Sequence, residues 1–304
     1  MSPRVKLIFN PIANLGRARN VASSLRLIAA EYGSADWVGT VYPTHATELA
    51  YAAAREGYDT VVAMGGDGTV HEVLNGLMQV PAEKRPRLGI VPIGSGNDLA
   101  FSTGISLNPE EAMRQALNGT PHAVDLGLAT DNLGREKYWD NAIGLGFDTI
   151  VTIHSRKVPI FQGFTVYLLA VLRTILFDYQ PFKLQLRVDG KEWSREYMLF
   201  VMMNGKREGG GFHVTPASLA DDGQLDYLGV DRVSRLKMLQ ILPAVLAGTH
   251  GSMKECAIGT FKEMEMTSEK PLYVHLDGEI FATPQTGVTR LSIRLLPGAL
   301  QLIR

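Results

Sequence analysis

Residues 60–77 confine the fold more than any other stretch. Thr60-Val61-Val62-Ala63-Met64 is a short β-branched apolar run that reads as a buried strand, and Gly65-Gly66-Asp67-Gly68-Thr69 follows it directly. Val70, Val73, Leu74 and Leu77 then recur along one face of a helix. The same strand-then-helix rhythm fills the first ~120 residues, with strands expected at Val5–Phe9, Val38–Tyr42 and Leu88–Pro92. Helices are expected around Val21, Leu25 and Ile28 and over Thr47–Arg55. A further helix starts at Asn108-Pro109-Glu110-Glu111 and stops at Asn118-Gly119, with Asn as cap and Pro at its first position. Such alternation predicts a mostly parallel sheet covered by helices.

The glycine turn also carries chemistry. Three glycines let backbone amides approach a phosphate, and the helix behind them offers unpaired amides and a positive dipole end. Asp67 cannot favour a bare phosphate, so its carboxylate implies a hydroxyl donor or a cation; Mg²⁺ bridging it to the phosphates resolves the conflict. A second loop, Pro92-Ile93-Gly94-Ser95-Gly96-Asn97-Asp98, also follows a strand. Leu99 stands where a dinucleotide fingerprint needs its third glycine, so the loop reads as the other wall of one nucleotide site at the carboxyl ends of parallel strands. No G-x-x-x-x-G-K-[ST], His-Arg-Asp or Asp-Phe-Gly sequence occurs, which excludes P-loop and protein-kinase architectures.

After about residue 122 the pattern changes. Leu184, Leu186 and Val188 alternate with Lys183, Gln185 and Arg187, Asp189-Gly190 turns the chain, and a second β-rich run follows from Trp193 to Met203, a hairpin signal. Further strands are expected at Leu225–Val230, Thr260–Met266, Leu272–Leu276 and Leu291–Leu296, and helices at Phe164–Phe177 and Arg235–Ala247. The expected fold class is two-domain α+β: an α/β N-terminal domain, parallel sheet with helices, of the NAD-kinase/phosphofructokinase kind, then a mainly antiparallel β domain. The boundaries are drawn at 1–122, 123–290 and 291–304, the last segment returning to the first domain.

Charge and length narrow the partners. The 304 residues carry a net charge of −1, which argues against a nucleic-acid partner and gives no electrostatic reason to adhere to anionic membranes. Any membrane contact would be local and apolar. The apolar stretch Phe164–Phe177 is interrupted by Arg173 and falls short of the ~20 residues that span a bilayer, and Val5–Phe9 is too short for a signal-peptide core. One cysteine, Cys256, excludes an internal disulfide and reads as a small core residue; a cytoplasmic, membrane-peripheral location fits.

On these motifs the chain resembles the diacylglycerol kinase catalytic family, bacterial lipid kinases related to sphingosine and ceramide kinases. Asn10-Pro11 resembles the family's opening motif, and Thr40 its nucleotide-contacting threonine. Gly65, Gly66, Asp67, Gly68, Thr69, Val70 and His71 resemble its phosphate loop, although many relatives carry Asn at position 71. Gly94, Ser95, Gly96, Asn97 and Asp98 resemble its second nucleotide loop. In the second half, Asn141–Asp148, Asn204-Gly205 with Gly209–Gly211, and Asp221–Asp226 all have counterparts. From the last of these the resemblance implies a structural Mg²⁺ held by the Asp222 carboxylate and the carbonyls of Leu219 and Gln224. Leu276-Asp277-Gly278-Glu279 resembles the acidic catalytic motif, in which Asp277 as first choice, or Glu279 close behind it, would accept the proton of the lipid hydroxyl.

The resemblance therefore implies an ATP- and Mg²⁺-dependent kinase acting on a membrane lipid at the bilayer surface, with diacylglycerol as default substrate. Apolar β edges in the second domain admit a homodimer. An NAD kinase or a phosphofructokinase-type sugar kinase can also carry Gly-Gly-Asp-Gly, but the Gly-x-Leu-Gly-Phe-Leu segment of NAD kinases is missing at its place, where Ile93–Asp98 stands. A binding regulator with a dead site is the non-enzymatic alternative. Phe161–Phe177 reads as a helix packed on the β domain, with lipid contact as the rival reading. Met202, Met203 and Phe212 are candidates for an acyl entrance, and His122 and His275 read as structural.

Overall fold

A computed structural model of the chain describes residues 3–33, 35–157 and 164–304. Phe161, the start of one expected helix, lies outside the described residues. The chain divides into two compact units, 3–126 with Pro297–Arg304, and Gly127–Leu296.

In the first unit β1 (Val5–Phe9), β2 (Ala35–Gly39), β3 (Thr60–Gly65) and β4 (Arg87–Pro92) form a parallel sheet in the order β2-β1-β3-β4. Leu302 of the returning segment pairs in parallel with Leu88. Alternation along the strands separates two faces. Leu7, Phe9, Val62, Met64 and Val91 pack with α1 (Ala18–Tyr32) and α5 (Pro109–Asn118) through Leu25, Ile28, Met113 and Leu117. On the other face α2 (His45–Arg55) and α3 (Asp67–Leu77) pack so closely that a Cβ on Gly76 would lie 2.3 Å from the Thr47 carbonyl oxygen. The short α4 (Asp98–Ser102) follows the second glycine loop, and the Asn108 side chain accepts from the amides of Glu110 and Glu111, as its cap pattern predicts.

The second unit is mostly antiparallel. The chain enters it along β5 (Pro121–Asp131), which pairs with β6 (Glu136–Trp139); then come β7 (Ala142–Gly146), α6 (Phe147–Ser155), α7 (Phe164–Phe177), β8 (Phe182–Val188) and β9 (Lys191–Met203). The series continues with β10 (Leu225–Asp231), α8 (Arg235–Ala247), β11 (Cys256–Phe261), β12 (Glu263–Thr267), β13 (Val274–Leu276), β14 (Glu279–Ala282) and β15 (Arg290–Ile303). The β8–β9 hairpin closes through Asp189 (φ 45°) and Gly190 (φ 82°), both left-handed, as a two-residue hairpin turn requires. Long β9 pairs with β8 and β7 and with β10, and its side chains feed two cores. Tyr197, Phe200 and Met202 join Trp139, Phe261 and Leu291 in one. Met198, Val201 and Met203 join α6, α7 and α8 in the other.

Several boundaries differ from the sequence expectation. The strand expected at Val38–Tyr42 is Ala35–Gly39, because its partner β1 ends at Phe9 opposite Gly39. The run Thr260–Met266 is two strands. At Lys262 and Glu263 the Asp189 carboxylate takes both backbone amides, and the chain changes partners from β10 to β8 and β15. Leu272–Leu276 shortens to Val274–Leu276, and Leu291–Leu296 extends to Arg290–Ile303. Met202 and Met203 face opposite cores and are fully buried, so they fill cores rather than line one entrance. Cys256 is buried, and burial pushes its thiol up to about 11.

Candidate functional site

In the first unit both glycine loops leave the carboxyl ends of adjacent parallel strands, β3 and β4, and the Ile93 amide donates to the Gly65 carbonyl at 2.8 Å. They touch backbone to backbone: a Cβ on Gly94 would lie 2.3 Å from the Gly66 Cα, and one on Gly96 would lie 2.6 Å from Asp67 Oδ2. Only glycine allows that approach. The Asp67 carboxylate is the clasp, accepting the Asn97 amide at 2.8 Å and the Asp98 amide at 2.7 Å. Those amides open α4, where a negative charge is favoured. Asp67 thus finds part of its compensation in backbone donors.

Asn97 sits in the left-handed region (φ 54°), its side chain bridging the amide and carbonyl of Gly94. Ser95 is exposed at the loop tip. Asn10, just beyond β1, donates to Thr69 Oγ1 at 3.0 Å, which brings the opening motif to the phosphate loop. Thr40, just beyond β2, donates its amide to the Phe9 carbonyl. The amides of Thr69 and Val70 donate to the Gly66 carbonyl and close the first turn of α3. The Val70 and His71 side chains are buried, and Asn75 Nδ2 donates to the His71 carbonyl.

The second unit gathers three motifs that are far apart in sequence. Asp277 and Gly278 form the β13–β14 turn, both left-handed (φ 49° and 78°). The buried Asp277 carboxylate accepts three backbone amides: Asp140 at 3.0 Å, Asn141 at 2.9 Å and Ala142 at 2.9 Å. Asn204 and Gly205 both donate their amides to the Asn141 carbonyl. Asp277 therefore ties the turn to the start of β7, whereas Glu279 is exposed and held by Arg156 at 2.8 Å.

Behind the turn lies a buried polar cluster that no sequence spacing revealed. His275 Nε2 is 2.7 Å from Asp148 Oδ2 and 3.3 Å from Glu208 Oε1, its Nδ1 accepts the Gly278 amide at 3.3 Å, and Tyr167 donates to Asp148 Oδ1 at 3.0 Å. A Cβ on Gly144 would strike Asp148 and His275, which explains the glycine there. Burial, with the charges of Asp148 and Glu208, raises the Tyr167 phenol well above its ordinary value, so it stays a hydroxyl. Asp148, Tyr167 and Glu208 also reach the wall of a cavity of about 50 Å³. The rest of that wall is apolar and comes from α6, α7, α8 and β9–β10, with Phe147, Val171, Ile175, Val201, Phe212, Leu228 and Ile241 among its residues. Phe212, one candidate for an acyl entrance, is in that wall.

In the loop before β10, Asp222 Oδ1 accepts the Gln224 amide at 3.0 Å, Gly223 is left-handed, and Leu219 is half exposed. The Asp226 carboxyl is raised by burial, with the Asp222 charge adding to the shift and a Ser218 hydrogen bond opposing it. Carboxylates that repel one another beside oxygen donors fit a hard cation.

A parallel α/β unit with paired glycine loops is followed in sequence by a β unit that holds a mostly apolar cavity. Residues 4–129 match the diacylglycerol kinase catalytic domain, and residues 141–304 match the YegS C-terminal NAD kinase beta sandwich-like domain. A Chromohalobacter salexigens protein named "Probable lipid kinase YegS-like" is 35% identical over 240 residues, 76% of this chain and 73% of that one. A Yersinia enterocolitica protein of the same name is 31% identical over 258 residues, 82% of this chain and 80% of that one. A Bacillus anthracis crystal structure described as "a putative diacylglycerol kinase" superposes with TM-score 0.82 at 25% identity, covering 99% of this chain and 95% of that one. The chain belongs to the family of YegS-like lipid kinases, with a diacylglycerol kinase catalytic domain.

Proposed function

We propose that the protein transfers the γ-phosphoryl group of ATP to the hydroxyl of a diacylglycerol-like membrane lipid, giving a phosphatidic-acid-like product. The observation that carries the lipid half is the cavity in the second unit, an apolar pocket whose polar wall is Asp148, Tyr167 and Glu208. A segment of acyl chain suits its apolar wall, and a sugar or nicotinamide nucleotide does not.

The ATP half rests on the paired glycine loops. The first turn of α3 at Gly66–Gly68 would receive phosphate oxygens, and Asp67 would keep the two loops clasped through the Asn97 and Asp98 amides. Asn10, Thr40, Ser95 and the neighbouring loop residues would complete the nucleotide contacts. Mg²⁺, when bound, supplies charge neutralisation for the phosphates. Asp222 with the carbonyls of Leu219 and Gln224 would hold a structural ion. Glu279 is the better proton acceptor. Its carboxylate is solvent-accessible and held by one arginine, while both oxygens of Asp277 are spent on backbone amides. Asp277 then fixes the turn that presents Glu279, and His275 braces the same turn through the Gly278 amide.

The test is label transfer from γ-labelled ATP to diacylglycerol, ceramide, sphingosine and phosphatidylglycerol in mixed micelles, with NAD in a parallel tube. Label entering one lipid, reduced by Val171→Trp through a raised KM and abolished by Glu279→Gln, is the expected result. Label entering NAD alone would overturn the reading.

A further inference from the structure

The cavity is roofed by α7 and α8, and the same two helices expose large apolar side chains on their outward faces. On α7, Leu169 (43% exposed), Arg173, Leu176 (55%) and Phe177 (73%) recur along one side. On α8, Leu236 (68%), Leu239, Pro243 and Ala247 do the same at helical spacing. Arg235 Nε donates to the Ile175 carbonyl at 3.0 Å, so the first turn of α8 lies against the last turn of α7 and the two stripes adjoin. The inward faces, through Val171, Ile175, Met238 and Ile241, line the cavity. A helix apolar on both sides is buried or lies in a non-aqueous medium.

We propose that the α7–α8 face docks on the surface of a lipid bilayer and so brings the cavity to its substrate. This inference rests on the reading of the chain as a kinase of bilayer lipids. Charge selects a bilayer over a second copy of the chain. Neither helix carries an acidic residue, while they hold Arg173, Arg235 and Lys237. The flanking acids Asp178 and Glu255 are paired with His154 and Lys237. A cation-bearing apolar face suits the interfacial zone of a membrane, anionic lipid included. With a net charge of −1 for the whole chain, apolar insertion and not long-range attraction supplies the binding.

The test is co-sedimentation of the nucleotide-free protein with phosphatidylcholine vesicles containing about one-third phosphatidylglycerol. Phe177→Glu/Leu236→Glu is compared with Leu27→Glu, an equally exposed leucine on α1 in the other unit. Thermal melts show that each variant folds. Expected is vesicle binding that changes little with salt, falls at least about tenfold in the double variant and is unchanged in Leu27→Glu. No vesicle binding by the parent, or equal binding by parent and double variant, would overturn the proposal. So would a parent dimer, dispersed by the double variant, that ignores vesicles. Phosphorylation of monomeric short-chain diacylglycerol separates the two readings. The double variant should retain it, and its absence from the parent would sink the kinase assignment while leaving the vesicle result to stand by itself.

Discussion

Replacing Asp277 by Asn separates architecture from chemistry in the acidic turn. The Asp277 side chain accepts three backbone amides, two on Oδ1 and one on Oδ2. In the variant the amide oxygen can keep the Asn141 and Ala142 donors, but the Nδ2 group then faces the Asp140 N–H, donor against donor. One buried, unsatisfied amide costs about 1–3 kcal/mol, and loss of charge from the two surviving bonds adds roughly 1 kcal/mol. Asn tolerates the left-handed backbone, so little strain is added. The total of about 2–4 kcal/mol corresponds to a melting temperature lower by roughly 5–15 °C for a unit of this size. Asp277→Ala strands all three amides and strains the turn, for about 4–6 kcal/mol. Glu279→Gln removes only a half-exposed ion pair, worth under about 1 kcal/mol, yet should lower kcat by about 10²–10⁴. Urea unfolding and phosphoryl transfer measured on the same preparations decide the matter. An Asn variant as stable as the parent but without activity would show that Asp277 acts chemically, and full activity in Glu279→Gln would remove Glu279 as the base.

Four further outcomes can be checked. Gly96→Ala, whose Cβ would meet Asp67 Oδ2 at 2.6 Å, should weaken ATP binding by at least about tenfold in a calorimetric titration, with the second unit unaffected. Mg²⁺ should raise the melting temperature and EDTA reverse the gain, and Asp222→Asn should abolish both effects. Burial lowers the His250 pKa, against the pull of the Val214 carbonyl bonded to Nε2 and of the nearby Ala244 carbonyl, so the folded chain holds this ring neutral. Stability should therefore be lost as pH falls below about 6.5, where only the unfolded chain takes up the proton, and His250→Gln should flatten that slope. Cys256, its thiol near 11, should resist maleimide at neutral pH until the chain is unfolded.

The first unit was legible because its signals are local. β-branched runs, a glycine turn, one-sided helical spacing and the Asn108 cap each act within a few residues, and β1, β3, β4 and the cap follow them, while β2 takes its register from β1. The second unit was less legible where partners come from afar. Nothing within Thr260–Met266 says that Asp189 will break the run at Lys262 and Glu263. Glycines in β5 and β7 and the buried Asp148, Thr149 and Thr152 of α6 blur the period there. The cluster of Asp148, Glu208 and His275 joins three elements with no shared spacing, so His275 read as a lone structural histidine. Its signal in the sequence is the adjoining Gly144, a position with no room for a side chain.

The return of Pro297–Arg304 to the first unit bears on how the chain is made. Leu302 pairs with Leu88 on β4, Arg85 donates to the Ala299 carbonyl, and Thr120 and Arg304 exchange backbone hydrogen bonds. During synthesis the parallel sheet emerges first, yet its β4 edge stays unpaired until the whole inserted β unit has been translated. A nascent chain would hold an open strand edge for that interval, the interval in which intermolecular pairing is the main hazard. The first unit would then be completed late, only after the second has already been built.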